Sequence, residues 1–302
     1  MILTGPEVAH ALENAEARHL ALQVETYRGL TKREDVHTLE ICGGVAALTE
    51  NIFGRKLNHV TGLGMGTPVS VDAVEQLETA YNERGLDVEI DLCPHADGTT
   101  LAALTERGYA VNAFSNTYVR MLRDEDLTAR PPEDIEIVTD RAVVEDVFVS
   151  HSIAGFEIQA VRRPPILLEA LARIAVARAD TMLFAAKLNG HLAGTGGMSV
   201  IATPVGKIAH LYIASTHPAH RGRGIQLALI RSRLAAARKA GCVMASITAR
   251  PYNTSARNTE RAGFSLAYTK ATFVKRYSPA AQADSINRRA SEAIAGGTLK
   301  AE

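Results

Sequence analysis

Residues 211–233 read LYIASTHPAHRGRGIQLALIRSR, and the fold turns on how this stretch is read. Leu211, Ile213 and Ser215 alternate with Tyr212, Ala214 and Thr216, which is the period of a strand. Pro218 ends it, Arg221-Gly222-Arg223-Gly224 follows, and Leu227, Leu229, Ile230 and Leu234 then recur at helical spacing. A glycine-rich turn running straight into a helix exposes several backbone N–H groups. Glycine permits close approach and positive φ, and the helix dipole adds partial positive charge. The stretch therefore predicts a site for a pyrophosphate, with Arg221 and Arg223 supplying further charge. The plainer alternative is a solvated basic turn that caps an ordinary helix.

In that context the stretch resembles the acetyl-CoA loop of the GNAT N-acetyltransferase superfamily, Q/R-x-x-G-x-G/A between a strand and a helix. Arg221 and Gly224 match the first and fourth positions, while the sixth is Gln226 instead of Gly or Ala. The departure adds a side chain where the cofactor lies close. The resemblance implies acetyl-CoA as co-substrate, held by Ala214, Ser215 and Thr216 on the strand and by Arg221, Gly222, Arg223, Gly224, Ile225 and Gln226 in the loop.

The totals are compatible with this. At 302 residues, one large domain or two of ordinary size are expected, and 46% hydrophobic content is enough for a core. Lys+Arg and Asp+Glu number 33 each, so no global basic field attracts nucleic acid. No apolar run is long enough for a membrane span, and the first residues lack the pattern of a signal peptide. Cys42, Cys93 and Cys242 are scattered, as reduced thiols of a cytoplasmic protein would be. No His, Cys or carboxylate cluster has metal-ligand spacing, so no metal is expected.

In chain order, helices are predicted at 7–27, 72–84 and 99–107, and strands at 38–49, 58–65, 87–92 and 110–122. Gly43-Gly44 is read as a bulge or kink in the first strand. Residues 123–133 are charged and carry Pro131-Pro132, the best linker in the chain. Beyond it come a strand at 135–138, helices at 141–150 and 165–178, and strands at 181–187 and 191–201 joined by a tight turn at Asn189-Gly190. The strand 207–215, the loop, a helix at 226–240, a strand at 243–248, a short helix at 255–262 and strands over 265–276 complete the order of a GNAT domain.

The halves resemble each other. Leu104-Thr105-Glu106-Arg107-Gly108-Tyr109 parallels the run from Asn258 to Phe264; Thr105 and Thr259 are 154 apart, and Gly85 and Gly241 are 156 apart. The expected fold is α/β (α+β): two GNAT-like modules, each with a mixed, mainly antiparallel central sheet flanked by helices. The expected division is a degenerate module at 1–128, a linker at 129–133, a GNAT acetyltransferase domain at 134–278 and a polar tail at 279–302. The equivalent turn of the first module, 62–68, has no Arg, and Pro68 withdraws an N–H. That module is expected to bind no acetyl-CoA and to form a wall of the acceptor site.

Acetyl transfer needs a polarised carbonyl, a neutral amine and a protonated leaving thiolate. The family's acid is often a Tyr four residues before the Gly of a Gly-Phe pair; counting back from Gly263, that position is Thr259, whose hydroxyl is a poor substitute. Tyr252 is the nearest phenol, or else a loop aromatic. His210 and Tyr212 share a strand face and are candidate base or relay, or else core residues. Asn253, Ser255 and Asn258 are candidate CoA contacts, with a role at the helix N-cap the alternative for each. His217 and His220, and Arg231, Arg233, Arg238 and Lys239 on the following helix, are candidate phosphate contacts or solvated surface. The resemblance implies an N-acetyltransferase with a small-molecule amine acceptor, as monomer or homodimer; the alternative is a catalytically inactive acyl-CoA-binding or regulatory protein.

Overall fold

The first half opens with a long helix that reaches across to the second. α1 (Pro6–Thr31) has Pro in its first turn and ends at Lys32, whose left-handed backbone returns an N–H to the Arg28 carbonyl. This computed structural model describes residues 4–128, 130–157 and 164–278; the expected tail at 279–302 and position 129 of the expected linker lie outside the described residues. The stretch 38–49 is a correction: it forms two strands, β1 (His37–Ile41) and β2 (Gly44–Leu48), paired antiparallel. Cys42 (φ 43) and Gly43 (φ 78) both take left-handed backbone, making a two-residue hairpin turn in place of the expected kink. β3 (Val60–Thr61), α2 (Val71–Asn82), β4 (Val88–Leu92), α3 (Gly98–Glu106) and β5 (Ala110–Met121) follow.

In the second half, β6 (Ile135–Val138), α4 (Arg141–Glu157) and α5 (Pro165–Ala177) precede β7 (Thr181–Leu188) and β8 (His191–Thr203). The β7–β8 turn is the expected one, with Asn189 at φ 49 and Gly190 at φ 80. β9 (Gly206–Thr216), α6 (Ile225–Lys239), β10 (Cys242–Ala249), α7 (Thr254–Arg261) and β11 (Ser265–Lys275) complete it.

The eleven strands of the described residues form one sheet, ordered β1-β2-β3-β4-β11-β5-β10-β9-β8-β7-β6. Two pairs are parallel, β3 with β4 and β9 with β10; every other neighbour is antiparallel. The two parallel pairs occupy equivalent places, as the internal repeat predicts. The last strands of the halves are exchanged. β5 pairs with β10 of the second half, and β11 pairs with β4 of the first. β5 and β11 pair with each other at the centre. The predicted linker region is not a free spacer: Asp124, in a single 3₁₀ turn (Asp124–Thr128), accepts from Arg238 of α6 at 2.7 Å.

On one sheet face α6 and α7 close an apolar core with Phe184, Met198, Leu211 and Tyr118. On the other, α1 packs on strands of both halves, and Ala9, Leu12 and Ala15 share a cluster with Val119, Ile208, Met244 and Tyr268. The same face of α1 carries Glu13 and His19, which are buried.

Candidate functional site

β9 and β10 run parallel only as far as His210 and Ser246. Beyond that pair they part, and among the described residues no strand lies between Leu211–Thr216 and Ile247–Ala249 on the inner side. β9 stays paired to β8 on its outer side, but with a bulge: Thr195 opposes Ser215 while Gly197 opposes Tyr212, so β9 carries one extra residue. Ile213 sits in that bulge at φ 44, a conformation a β-branched residue adopts only under constraint. Glycines 194, 196 and 197 make the bulge possible. A Cβ at Gly194 would sit 2.7 Å from the Ser215 carbonyl, and one at Gly197 would press on Ile213 at 3.0 Å.

The loop leads from the open end of β9 into α6. Gly222 and Gly224 have φ 76 and 80, and a Cβ at either would meet nothing within 4 Å, so their outer faces are bare. Gly224 is the N-cap of α6 and no side chain caps the helix. The first N–H groups of α6 are therefore offered outward, together with the dipole. Arg221 is anchored by a 3.1 Å bond to the Gly155 carbonyl of α4, and Arg223 is exposed. His220 keeps a buried ring nitrogen, Nδ1, without a partner, 5.7 Å ring to ring from His217. A polyphosphate fits this cradle: it supplies acceptors for bare N–H donors and charge opposite the arginines.

The other expected contacts are distributed more locally. Asn253 caps α7 through Oδ1, which accepts from Ala256 N at 2.7 Å, the alternative the sequence left open. Gln226 does not project into the loop. Its Oε1 accepts from Asn258 at 2.7 Å and its Nε2 reaches Ser255 Oγ at 3.4 Å, so it ties α6 to α7. Thr259 is wholly buried and spends its hydroxyl on the Ser255 carbonyl at 2.8 Å. Tyr252 is fully exposed at φ 61, touching none of the strand candidates. Ser215 Oγ lies 3.2 Å from Thr195 Oγ1, which is 3.0 Å from Ser152 Oγ, so its side chain faces α4. On α6, Arg233 is no surface contact: it is buried, donating to the Leu229 and Gly197 carbonyls, and Arg238 is paired with Asp124.

His210 and Tyr212 come together under α1. His210 Nδ1 lies 3.1 Å from Ser246 Oγ, and burial pushes its pKa down to about 4, Arg178 and Lys270 adding to this against Glu16. The His19 ring packs 4.5 Å from His210 and 4.4 Å, edge-on, from Tyr212. Arg178 approaches His19 Nδ1 at 3.1 Å, which makes Nδ1 the acceptor; burial, His210 and Arg178 hold His19 neutral. Tyr212 Oη is 2.7 Å from Thr181 Oγ1. Sequence reading missed Glu13, Glu16 and His19. Their signal was a polar row at three-residue spacing within the apolar stripe of α1. Lys270 of β11, fully buried, sits 3.1 Å from Glu13 Oε1 and 2.9 Å from Glu16 Oε2.

The matching turn of the first half is built differently. Ser70 caps α2, its Oγ accepting from Ala73 N at 3.1 Å, and Thr99 Oγ1 accepts from Val69 N at 2.8 Å. A Cβ at Gly64 would overlap Thr100.

Residues 135–264 match the family described as "Acetyltransferase (GNAT) family". Among solved structures, the chain is similar to a GCN5-related N-acetyltransferase from Kribbella flavida, at 16% identity and a TM-score of 0.60 over 90% of this chain and 98% of that one. It is also similar to a tandem GNAT protein from the clavulanic acid biosynthesis pathway, at 15% identity and a TM-score of 0.58 over 78% of this chain and 79% of that one. A functionally unknown conserved protein from Staphylococcus epidermidis ATCC 12228 is similar at 13% identity and a TM-score of 0.54, over 82% and 97%. At these identities the likeness is one of fold. No curated protein sequence matches the chain. Residues 135–264 therefore carry the match to the GNAT family, and the chain as a whole shares the fold of these solved structures, a tandem GNAT protein among them.

Proposed function

We propose that the protein is an acetyl-CoA-dependent N-acetyltransferase acting on a small-molecule amine, with one working cofactor site, in the second half. The observation that carries this reading is the parting of β9 from β10 beside a bare, arginine-flanked N-terminus of α6. Acetyl-CoA, when bound, supplies an activated acetyl thioester. Arg221, Arg223 and the N–H groups from Gly222 onward would hold its pyrophosphate. The unpaired inner edge of β9 from Ala214 to Thr216 would align its arm, and the bulge at Ile213 would supply backbone groups to polarise the thioester. In the reaction the ammonium first loses a proton, the neutral acceptor nitrogen forms a bond to the acetyl carbon, the carbon–sulfur bond breaks, and the sulfur leaves as the thiol with the second nitrogen proton. His210, neutral down to about pH 4 and bonded to Ser246 where the strands part, is positioned to pass the first proton along. The first half, with α2 already capped by Ser70, serves as a wall rather than a second site. Among the described residues no helix is long and apolar enough to cross a membrane, and the three free cysteines suit a cytoplasmic protein.

Combining Arg221→Ala with Gly224→Val is expected to raise the Kd for acetyl-CoA at least tenfold, about 1.4 kcal/mol. Valine is strained at φ 80 and fills the bare face. Calorimetry on the folded double variant measures it, and an unchanged Kd sinks the assignment. CoA release across a panel of amines then separates an enzyme from an inactive acyl-CoA binder.

A further inference from the structure

α1 brings two carboxylates and a single buried lysine meets them. Lys270 lies between Glu13 and Glu16, and the ends of this row differ. Glu13 is sealed: its side chain is fully buried and Tyr268 Oη donates to Oε1 at 2.7 Å. Glu16 is not sealed, its side chain being 14% exposed. Its other neighbour is Thr248 Oγ1, which donates to Oε2 at 3.3 Å. Thr248 is exposed and stands on β10 two residues past Ser246, where β9 and β10 have already parted. Glu16 therefore looks into the mouth of the opening that the proposed arm would enter from the other side of the sheet.

The groups around Glu16 differ in charge. Lys270 is shared with Glu13. His210 and His59, both facing it, have pKa values near 4 and carry no charge at neutral pH. Arg55 is committed to Asp91, which it holds well ionised. Burial pushes the Glu16 carboxyl up, but Lys270 pulls it below its ordinary value, so it is ionised. Burial pushes the Glu13 carboxyl up instead, so the ionised end of the row is Glu16, the end that is partly exposed and open to a cationic ligand.

A separate observation points to a ligand. Thr117 of β5 is 2% exposed and its Oγ1 has no hydrogen-bond partner; Ser115 Oγ, two residues before it, is likewise unpartnered. Thr117 is the direct cross-strand partner of Thr248, and Ser115 of Lys270, so both hydroxyls share the sheet face beneath α1 with the Glu16 row. Buried hydroxyls are rarely left unpaired. Here two stand on the sheet face that carries the Glu16 row, as acceptors for N–H donors.

We propose that Glu16, from the first half, receives the positively charged ammonium of the acceptor, with Thr117 and Thr248 completing the seat. The acceptor is then a cationic primary amine, and specificity for it is supplied by the half that carries no cofactor loop. This rests on the acetyltransferase reading above and adds to it the acceptor's charge and the residue that reads it.

The test uses the full chain with saturating acetyl-CoA and a panel of spermidine, lysine, glucosamine and tyramine, following CoA release. With the best amine, Glu16→Gln should raise KM at least tenfold while the Kd for acetyl-CoA stays within twofold. Glu13→Gln perturbs the same network from its sealed end and should leave KM within twofold. Thr117→Val should raise KM at least threefold without lowering the melting temperature, since it removes a hydroxyl that the free protein leaves unpaired. A merely structural role for Glu16 predicts instead that Glu16→Gln and Glu13→Gln behave alike, and that result overturns the proposal. If Glu16→Gln does not fold, Thr117→Val decides, and an unchanged KM overturns it. Acetyl-CoA binding with no amine of the panel turned over also overturns it while leaving the cofactor site intact. Absence of acetyl-CoA binding is the distinct failure of the underlying reading.

Discussion

The histidines under α1 are neutral because they are buried. His210 is held near pKa 4 and His19 well below its ordinary 6.5, burial being the largest cause for both. Each is lowered relative to the unfolded chain, so its contribution to stability is full above about pH 6.5. It is lost as pH falls toward the folded value, because the unfolded state takes up the proton first. Between pH 7 and pH 5 His210 is expected to cost on the order of 2 kcal/mol, with His19 acting in the same direction. Calorimetric melting at the two pH values should show a marked drop, and His210→Asn should remove about a third of it, since His59 is held near 4 as well. A flat profile in the parent protein contradicts the burial argument.

Lys270 joins α1 to β11 across 257 positions of sequence. Lys270→Met should destabilise the protein by about 3–5 kcal/mol, because it strands two carboxylates beneath the helix. Adding Glu13→Gln should recover part of that loss, and urea unfolding of the two variants checks both statements. This contact also marks the limit of what was legible in the chain. The loop at 221–226, the Asn189-Gly190 turn and the repeat of elements were readable because each depends on backbone preferences within a few residues. The β1–β2 hairpin was not, since Cys42 takes a left-handed conformation unusual for its type and a Gly-Gly pair suits a bulge as well as a turn. Glu13, Glu16 and His19 were passed over for a different reason. A charged residue in a helix reads as solvent-facing until its partner is known, and Lys270 carries no local sign that it meets α1. The capping role of Asn253 was open from sequence, and only the contact with Ala256 decides it.

The two-module division proposed from the linker and repeat describes the covalent chain better than the folded one. Residues 134–278 alone would leave the β10 edge, normally covered by β5, unpaired, and would leave β11 without either of its neighbours. Such edges associate with other chains. Expressed by itself, that fragment is expected to aggregate or to lack a cooperative melt, whereas co-expression with residues 1–133 should restore a soluble complex that binds acetyl-CoA. Size-exclusion chromatography with a thermal melt measures this, and an independently folded, monomeric fragment contradicts the strand exchange.

The placement of β11 bears on the order in which the molecule can be made. The strand synthesised last among the described elements lies in the middle of the sheet, between two strands from the first hundred-odd residues of the chain. As the polypeptide leaves the ribosome, β4 and β5 must wait side by side with a gap between them until residue 275 or so has emerged. Contacts this distant in sequence form slowly, and exposed strand edges invite wrong pairings meanwhile. Nascent chains stalled before β11 should remain bound by chaperones and open to protease, and protection should arrive in a single late step rather than half by half.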